Sequence, residues 1–236
     1  MRRLDELRVA GMLLTRLPMG RVARVVPMGE TAWAWPLIGA LVGAIIAAVA
    51  WGAGDLPPLV TGVLAVAAGL LVTGAMHEDG LADCADGFGG GRDRARKLEI
   101  MRDSRLGSYG AAALCLALLA KVALIGALDD TLVLIATGAA SRALLPALQQ
   151  LMPQARAEGL GAGAAAVGQG GAAVAAGLGC GALVICPGGL AALLALAIAQ
   201  AGVALIARRQ IGGVTGDVLG AAQLLGEIAA LIIISR

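Results

Sequence analysis

The sequence is poor in aromatic residues: one Tyr, one Phe and three Trp among 236 residues. It is also poor in charge, with 14% Asp, Glu, Lys and Arg, against about 25% in soluble domains. That shortage excludes an ordinary water-soluble enzyme, and the high apolar content excludes a disordered segment. A single histidine, His77, rules out a histidine-built zinc site. The four cysteines, Cys84, Cys115, Cys180 and Cys186, show no C-x2-C spacing, and three lie in apolar runs. They read as free thiols packed as small apolar groups. Segments of roughly ten residues with alternating polarity are missing, which excludes a transmembrane barrel. The first twenty residues lack the apolar core of a cleavable signal, so none is expected.

What is present is apolar and small. Hydrophobic residues make up 59% of the chain and 36 residues are glycine, with a mean hydropathy of +0.86. Small side chains let helix backbones approach one another in a bilayer. Apolar runs fall near 35–53, 57–76, 108–128, 131–149, 171–187, 189–207 and 217–234, close to the roughly 20 residues that cross a bilayer as helix. The expected fold is therefore all-α: a polytopic membrane bundle of about seven transmembrane helices, residues 1–236 forming one membrane-embedded domain. Tight turns at Asp55–Pro58 and Cys186–Gly189 predict antiparallel neighbours. Leu4, Leu7, Ala10, Gly11 and Leu14 recur at helical spacing, predicting an arm along the membrane surface before Pro18.

Charge distribution orients the bundle. Fifteen of the 18 Lys and Arg residues lie in the N-terminal arm, the 92–105 segment and the later loops holding Arg156, Arg208 and Arg209. The opposite loops carry only Asp55, Asp129 and Asp130. By the positive-inside rule the N-terminus is cytoplasmic and the C-terminus outside, and residues 77–107 form a cytoplasmic acidic motif and active-site loop that meets a substrate from the cytosol.

The most informative stretch is His77-Glu78-Asp79-Gly80-Leu81-Ala82-Asp83-Cys84-Ala85-Asp86-Gly87. At about 100° per residue, Asp79, Asp83 and Asp86 share an arc of roughly 60° on a helix. Such clustering at a bilayer interface is costly through repulsion and desolvation unless a divalent cation neutralises it. Oxygen-rich sites suit Mg²⁺, which takes one or two protein carboxylates and completes its shell with substrate phosphate and water. The motif therefore predicts a phosphate or pyrophosphate ligand. Gly87–Arg92 offers either an anion-binding backbone nest or a plain hinge, and Arg92–Met101 reads as a short amphipathic helix. The arginines of Arg102-Asp103-Ser104-Arg105 suit bridging phosphates. Arg142, beside Ser141 inside an apolar run, reads as functional or as the partner of a residue such as Glu227; Lys121 snorkels or pairs with a neighbour. Asp217 either caps the last helix or supplies a further metal ligand. His77 either shuttles a proton or packs. The Gly/Ala-rich stretch from Gly159 to Gly171 reads as a lid or a linker.

The run His77-x-Asp79-Gly80-Leu81-Ala82-Asp83-x-x-Asp86-Gly87, followed by Ile100-Met101-Arg102-Asp103-Ser104-Arg105-x-Gly107-x-Tyr109-Gly110, resembles the signature of the cobalamin synthase family. Thr15–Pro18, Trp35–Gly39, Ser141–Ala143 and Gly212-Gly213-x-Thr215-Gly216-Asp217-x-x-Gly220-Ala221 resemble family motifs in the same order, so the resemblance covers nearly the whole chain. Departures are Met12 and Cys84, and Glu78 where the family commonly has an apolar residue. The resemblance implies an adenosylcobinamide-GDP ribazoletransferase: a ribazole hydroxyl attacks the cobinamide-linked phosphorus and GMP leaves. It implies Mg²⁺ held by Asp79, Asp83 and Asp86 with help from Asp217, phosphate contacts from Arg102, Ser104, Arg105, Ser141 and Arg142, and Asp103 or His77 as catalytic base. Implied partners are the corrinoid nucleotide, ribazole or its 5'-phosphate, and the lipid bilayer, with no nucleic acid. A homo-oligomer, or association with other corrinoid-pathway enzymes, is compatible with it. The implied location is the bacterial cytoplasmic (inner) membrane, active site on the cytoplasmic face. A membrane CDP-alcohol phosphotransferase and a prenyltransferase use the same physics, but Asp83 stands where the first has arginine, and only Asp79–Asp83 matches the two D-x3-D motifs of the second. A transporter would scatter its charges at mid-membrane depth, whereas here they gather at one interface.

Overall fold

The computed structural model describes residues 2–156 and 167–236. Among them regular structure is helical, apart from one isolated bridge between Gln154 and Val214. The helices are α1 (Arg2–Leu14), α2 (Trp35–Gly52), entered through a 3₁₀ turn at Met28–Ala34, α3 (Pro58–Thr73), α4 (Met76–Gly90), α5 (Arg94–Ile100), α6 (Ser108–Gly126), α7 (Val133–Ala143), α8 (Leu145–Leu151), α9 (Gln169–Val184), α10 (Gly189–Ile211) and α11 (Gly216–Ile234). The stretch from Gly159 to Gly171 falls largely on residues 157–166, outside the described residues.

Local chemistry sets these boundaries. Pro36 and Pro58 sit in the first turns of α2 and α3, where a missing N–H costs nothing and φ is already helical. The Thr215 side chain accepts from the Val218 amide and starts α11, and Asp93 does the same for α5 through Arg96 N. At the end of α3, Gly74 (φ 68) and Ala75 (φ 57) are both left-handed, a conformation that ends a helix and is uncommon for a residue with a β-carbon. The chain turns there by 89°, and α4 leaves the direction of α3.

The all-helical membrane fold expected from composition is the one observed. Among the described residues, four helical stretches are long and apolar enough to cross a bilayer: Met28–Gly52, Ser108–Gly126, Gly189–Ile211 and Gly216–Ile234. The run at 57–76 stops at Thr73, and α3 reaches span length only when counted together with the bent α4. Because α4 carries His77, Glu78, Asp79, Asp83 and Asp86, whose burial in hydrocarbon is expensive, α4 is read as lying outside the membrane-crossing path. The run at 131–149 divides at Leu144 into α7 and α8. With 11 residues, α7 is roughly 16 Å long, about half a bilayer core. Every residue of α7 except Ile135 is buried: its apolar character reflects burial in protein, not in lipid. The run at 171–187 becomes α9, apolar but only 16 residues long.

Side-chain size is sorted accordingly. Ala65, Ala140, Ala175, Ala192, Ala207 and Ala222 are fully buried, whereas Leu116 is 69% exposed and Ile198 72% exposed. Small residues thus line many of the helix contacts, the arrangement that lets helices approach in lipid, while large ones such as Leu183, Leu196 and Leu224 fill the core and others face outward. The α2–α7 contact shows why glycine is needed: a β-carbon at Gly39 would strike the Gly138 carbonyl, and one at Gly43 the Leu134 carbonyl. Gly43→Val is expected to push these helices apart and to lower the unfolding midpoint in detergent, at about 1–3 kcal/mol for overpacking; an unchanged midpoint would show that α7 can shift freely.

In α1 the buried face differs from the expected apolar stripe. Asp5, Glu6, Ala10, Gly11 and Leu14 point inward, while Leu4 and Met12 are exposed. Glu6 is satisfied there by Arg2 Nε (3.0 Å), Arg3 Nη1 (2.9 Å), Arg24 Nη2 (3.3 Å) and Trp33 Nε1 (2.8 Å), so the arm is tied to the 3₁₀ turn by charge. All four cysteines are free, and Cys84 is buried.

Candidate active site

The acidic motif and the Gly212–Asp217 motif, far apart in sequence, meet where α4 packs against the start of α11. Contact is close: a β-carbon on Gly80 would press on the backbone of Asp217. Along α4, Asp79 is exposed, Asp83 half-buried and Asp86 buried. Asp83 feels the negative charges of Asp79, Asp217 and Asp86 and the positive charge of Arg156. Burial, reinforced by Asp79 and Asp217, pushes the Asp83 carboxyl up to about 7.

Arg156, one of the basic loop residues that orient the bundle in the sequence, joins the acidic cluster. Residues 153–155 pair with Val214 through Val214 N→Pro153 O and Ala155 N→Val214 O, both 2.9 Å. That pairing delivers Arg156 to the cluster, where Nη1 lies 3.4 Å from Asp217 Oδ2 and Nη2 donates to Leu98 O at 3.0 Å. Its Nε is buried without a partner. Nothing in its spacing from Asp217 could have signalled this.

The segment 77–107 comprises α4, α5 and the turn at 101–107. Arg102, Ser104 and Arg105 are exposed on that turn. Asp103 accepts from the Arg105 amide (3.1 Å) and from Arg105 Nε (3.0 Å). These bonds hold the Asp103 carboxyl down at about 2, which makes it a weak proton acceptor in this geometry. Asp86 is engaged elsewhere: Oδ2 accepts from Gly107 N at 2.7 Å and Oδ1 from Gly110 N at 2.8 Å.

Ser141, Arg142 and His77 lie in a separate, buried polar layer. Lys121 Nζ sits 3.0 Å from Glu227 Oε2 and 3.8 Å from Glu78 Oε1. Gln223 Nε2 donates to Ser141 Oγ (2.9 Å) and Gln200 Nε2 to Ser141 O (2.7 Å), while Arg142 Nη1 donates to Gly138 O (3.0 Å) and feels Glu227 and Glu78. Ser141 is fully buried, Arg142 is 2% exposed and His77 is 3% exposed. Both Ser141 and Arg142 face the bundle interior in this structure, where Arg142 feels the charges of Glu227 and Glu78. Glu78 neither faces water nor joins the acidic face. His77 Nε2 is buried and unpartnered. Burial and the cations Arg142 and Lys121 hold its imidazole well below its usual value, so it is neutral and a poor base.

Among the described residues, no three His, Cys, Asp or Glu side chains are gathered closely enough to hold a metal by themselves. The donor set still suits Mg²⁺, an oxygen-seeking ion that needs only one or two protein carboxylates when substrate phosphate and water complete its shell. Asp79, Asp83 and Asp217 offer carboxylates on both sides of the α4–α11 contact, and their mutual repulsion is what a cation relieves.

Residues 6–235 match the family described as cobalamin-5-phosphate synthase. A protein of Mesorhizobium japonicum named adenosylcobinamide-GDP ribazoletransferase is 42% identical over 242 residues, covering 98% of this chain and 93% of its own. Proteins of the same name from Azorhizobium caulinodans (48% identical, 85% of this chain and 82% of that one) and Leptothrix cholodnii (41% identical, 95% and 92%) are similarly related. No solved structure matches the chain.

Proposed function

Because the chain belongs to the cobalamin-5-phosphate synthase family, we propose that it catalyses the reaction for which its relatives are named. The adenosylcobinamide-phosphate group passes from adenosylcobinamide-GDP to α-ribazole or its 5'-phosphate. A new P–O bond forms to the ribazole oxygen, the P–O bond to GMP breaks, and the hydroxyl proton leaves to a base or to water. The observation that carries this reading is the meeting of Asp79, Asp83 and Asp217 beside Arg156, with the exposed Arg102–Arg105 turn tied to the same helix through Asp86.

Asp79, Asp83 and Asp217 would hold Mg²⁺, which when bound neutralises the diphosphate and stabilises the departing GMP. Asp86, with both oxygens committed to amides, is left out of that set. Arg102 and Arg105 bind phosphate oxygens, with Ser104 donating a further hydrogen bond. Arg156, held now by Asp217 and a backbone carbonyl, keeps its position when phosphate arrives and adds a fixed positive charge. Of the two proposed bases, Asp103 is the one substrate can reach; a phosphate that draws Arg105 away frees its carboxylate and raises its proton affinity. The protein's main contribution is positioning and electrostatics. The concentration of Lys and Arg near this site supports a position on the cytoplasmic face of a bacterial inner membrane. The reading requires neither a homo-oligomer nor association with other corrinoid-pathway enzymes.

Turnover of the detergent-purified chain with adenosylcobinamide-GDP and α-ribazole, followed as GMP and corrinoid product by chromatography, tests the reading. Product that appears with Mg²⁺ and disappears with a chelator is expected. Well-folded protein that forms no GMP would exclude the assigned substrates, and product that persists in chelator would exclude the metal.

A further inference from the structure

The proposal rests on the reading above, and concerns the third aspartate of the acidic motif. We propose that Asp86 is a positioning residue, not a metal ligand: with Gly87 it fastens both ends of the arginine-bearing turn 101–107 to the acidic helix.

Three observations converge on it. The α6 amino terminus has unpaired amides, as every helix start does, and two of the first ones, Gly107 N and Gly110 N, donate to the two different oxygens of Asp86 at 2.7 and 2.8 Å. A carboxylate from α4 thus caps a helix whose N-cap, Gly107, lies twenty-one positions later, and its charge also suits the positive end of that helix. Second, space has been cleared for it. A β-carbon at Gly107 would strike Asp86 Oδ1, and one at Gly110 would strike Asp86 Oδ2 and the Ala82 carbonyl. Both glycines of the Ser104-Arg105-Leu106-Gly107-Ser108-Tyr109-Gly110 stretch are therefore explained by one carboxylate. Third, the next residue of α4 holds the other end of the same turn: Gly87 is packed under the buried Met101 side chain, where a β-carbon would collide with Met101 Cγ and crowd Lys97 O.

The turn carrying Arg102, Asp103, Ser104 and Arg105 is consequently pinned at Met101 and at Gly107 to adjacent residues of the helix that bears Asp79 and Asp83. Its exposed side chains are free to reach substrate, but its backbone is fixed relative to the carboxylates. Asp86 acts through these arginines, which touch phosphate, and does not itself contact the reacting atoms. Registry at i, i+4 and i+7 puts Asp86 on the same helix face as Asp79 and Asp83, but that face meets two different partners along its length.

The test uses the full chain in detergent and two readouts. Trypsin cleavage after Arg102 and Arg105, without substrate, reports whether the turn is held; the half-saturating Mg²⁺ concentration in the transferase assay reports metal binding. For Asp86→Asn, cleavage is expected to accelerate by about tenfold or more, the factor for losing a hydrogen bond to a charged group. KM for the diphosphate substrate should rise, while half-saturating Mg²⁺ stays within about twofold of the parent. Unchanged cleavage overturns the proposal. So does a rise in half-saturating Mg²⁺ of about tenfold, with or without faster cleavage. Gly110→Ala leaves Asp86 in place and displaces its carboxylate; it should reproduce the faster cleavage, and parent-like cleavage there also overturns the proposal. Should the chain prove inactive on adenosylcobinamide-GDP, the cleavage readout still stands, so failure of the assigned reaction and failure of the Asp86 role are told apart.

Discussion

Asp83→Asn is expected to lower turnover by at least about a hundredfold, a loss typical of removing one charged group that stabilises a transition state, while leaving the fold as stable or more so. The two effects have one origin. Asp83 lies half-buried between Asp79 and Asp217, and burial with that repulsion lifts its carboxyl to about 7 from an ordinary 3.8. An acid whose folded-state value is raised binds its proton more tightly folded than unfolded, so the folded state loses stability as pH rises from the ordinary range through about 7. Asparagine has the same shape and no charge, so it removes that penalty. The stability gain should be fully developed above about pH 7 and vanish below the ordinary aspartate range, read as the unfolding midpoint against pH in chelator. Activity and stability therefore move in opposite directions, which misfolding cannot produce. A variant with parent-like turnover removes Asp83 from the machinery; one with a lowered midpoint at neutral pH shows that its charge supports the fold instead of straining it.

How much of this was legible in the sequence depends on which kind of question is asked. Periodicity places Asp79, Asp83 and Asp86 on one face because spacing fixes direction around a helix axis, and the structure has all three on α4. Spacing does not say what stands opposite. Asp217 arrives from α11 and the Gly107 and Gly110 amides from α6, contacts more than twenty residues distant in sequence. Run length misleads for a related reason: α7 and an exposed span are both apolar, but α7 is enclosed by α2, α9 and α11, and interiors built of alanine and glycine resemble lipid-facing surfaces in hydropathy. The corner at Gly74–Ala75 is hidden because alanine gives no sign that it will adopt a left-handed conformation. Arg142 is readable as a buried charge with Glu227 as partner, but Lys121, Gln200 and Gln223, which complete that layer, come from other helices and leave no mark in the spacing.

That layer carries the other large effect. Lys121→Met is expected to destabilise the chain by about 3–5 kcal/mol, the cost of leaving a buried charge without its partner. Lys121 is 7% exposed and is the near neighbour of two carboxylates, Glu227 at 3.0 Å and Glu78 at 3.8 Å; with it gone, Arg142 alone faces both. The double variant Lys121→Met with Glu227→Gln leaves one cation, Arg142, and one anion, Glu78, and keeps Gln223 within reach of the replaced side chain. It should recover most of the loss, and the double-mutant cycle should show coupling well above the scatter of independent sites. Unfolding in detergent for the two single variants and the double gives the cycle. Simple additivity would mean that the ion pair is incidental and that the aliphatic stem of Lys121 supplies the stability. Coupling carries a consequence for the active site, because Glu78 immediately precedes Asp79. The charge layer then fixes the first turn of α4 against α6, α7 and α11, and the charge-balanced double variant should regain turnover along with stability, while Lys121→Met regains neither.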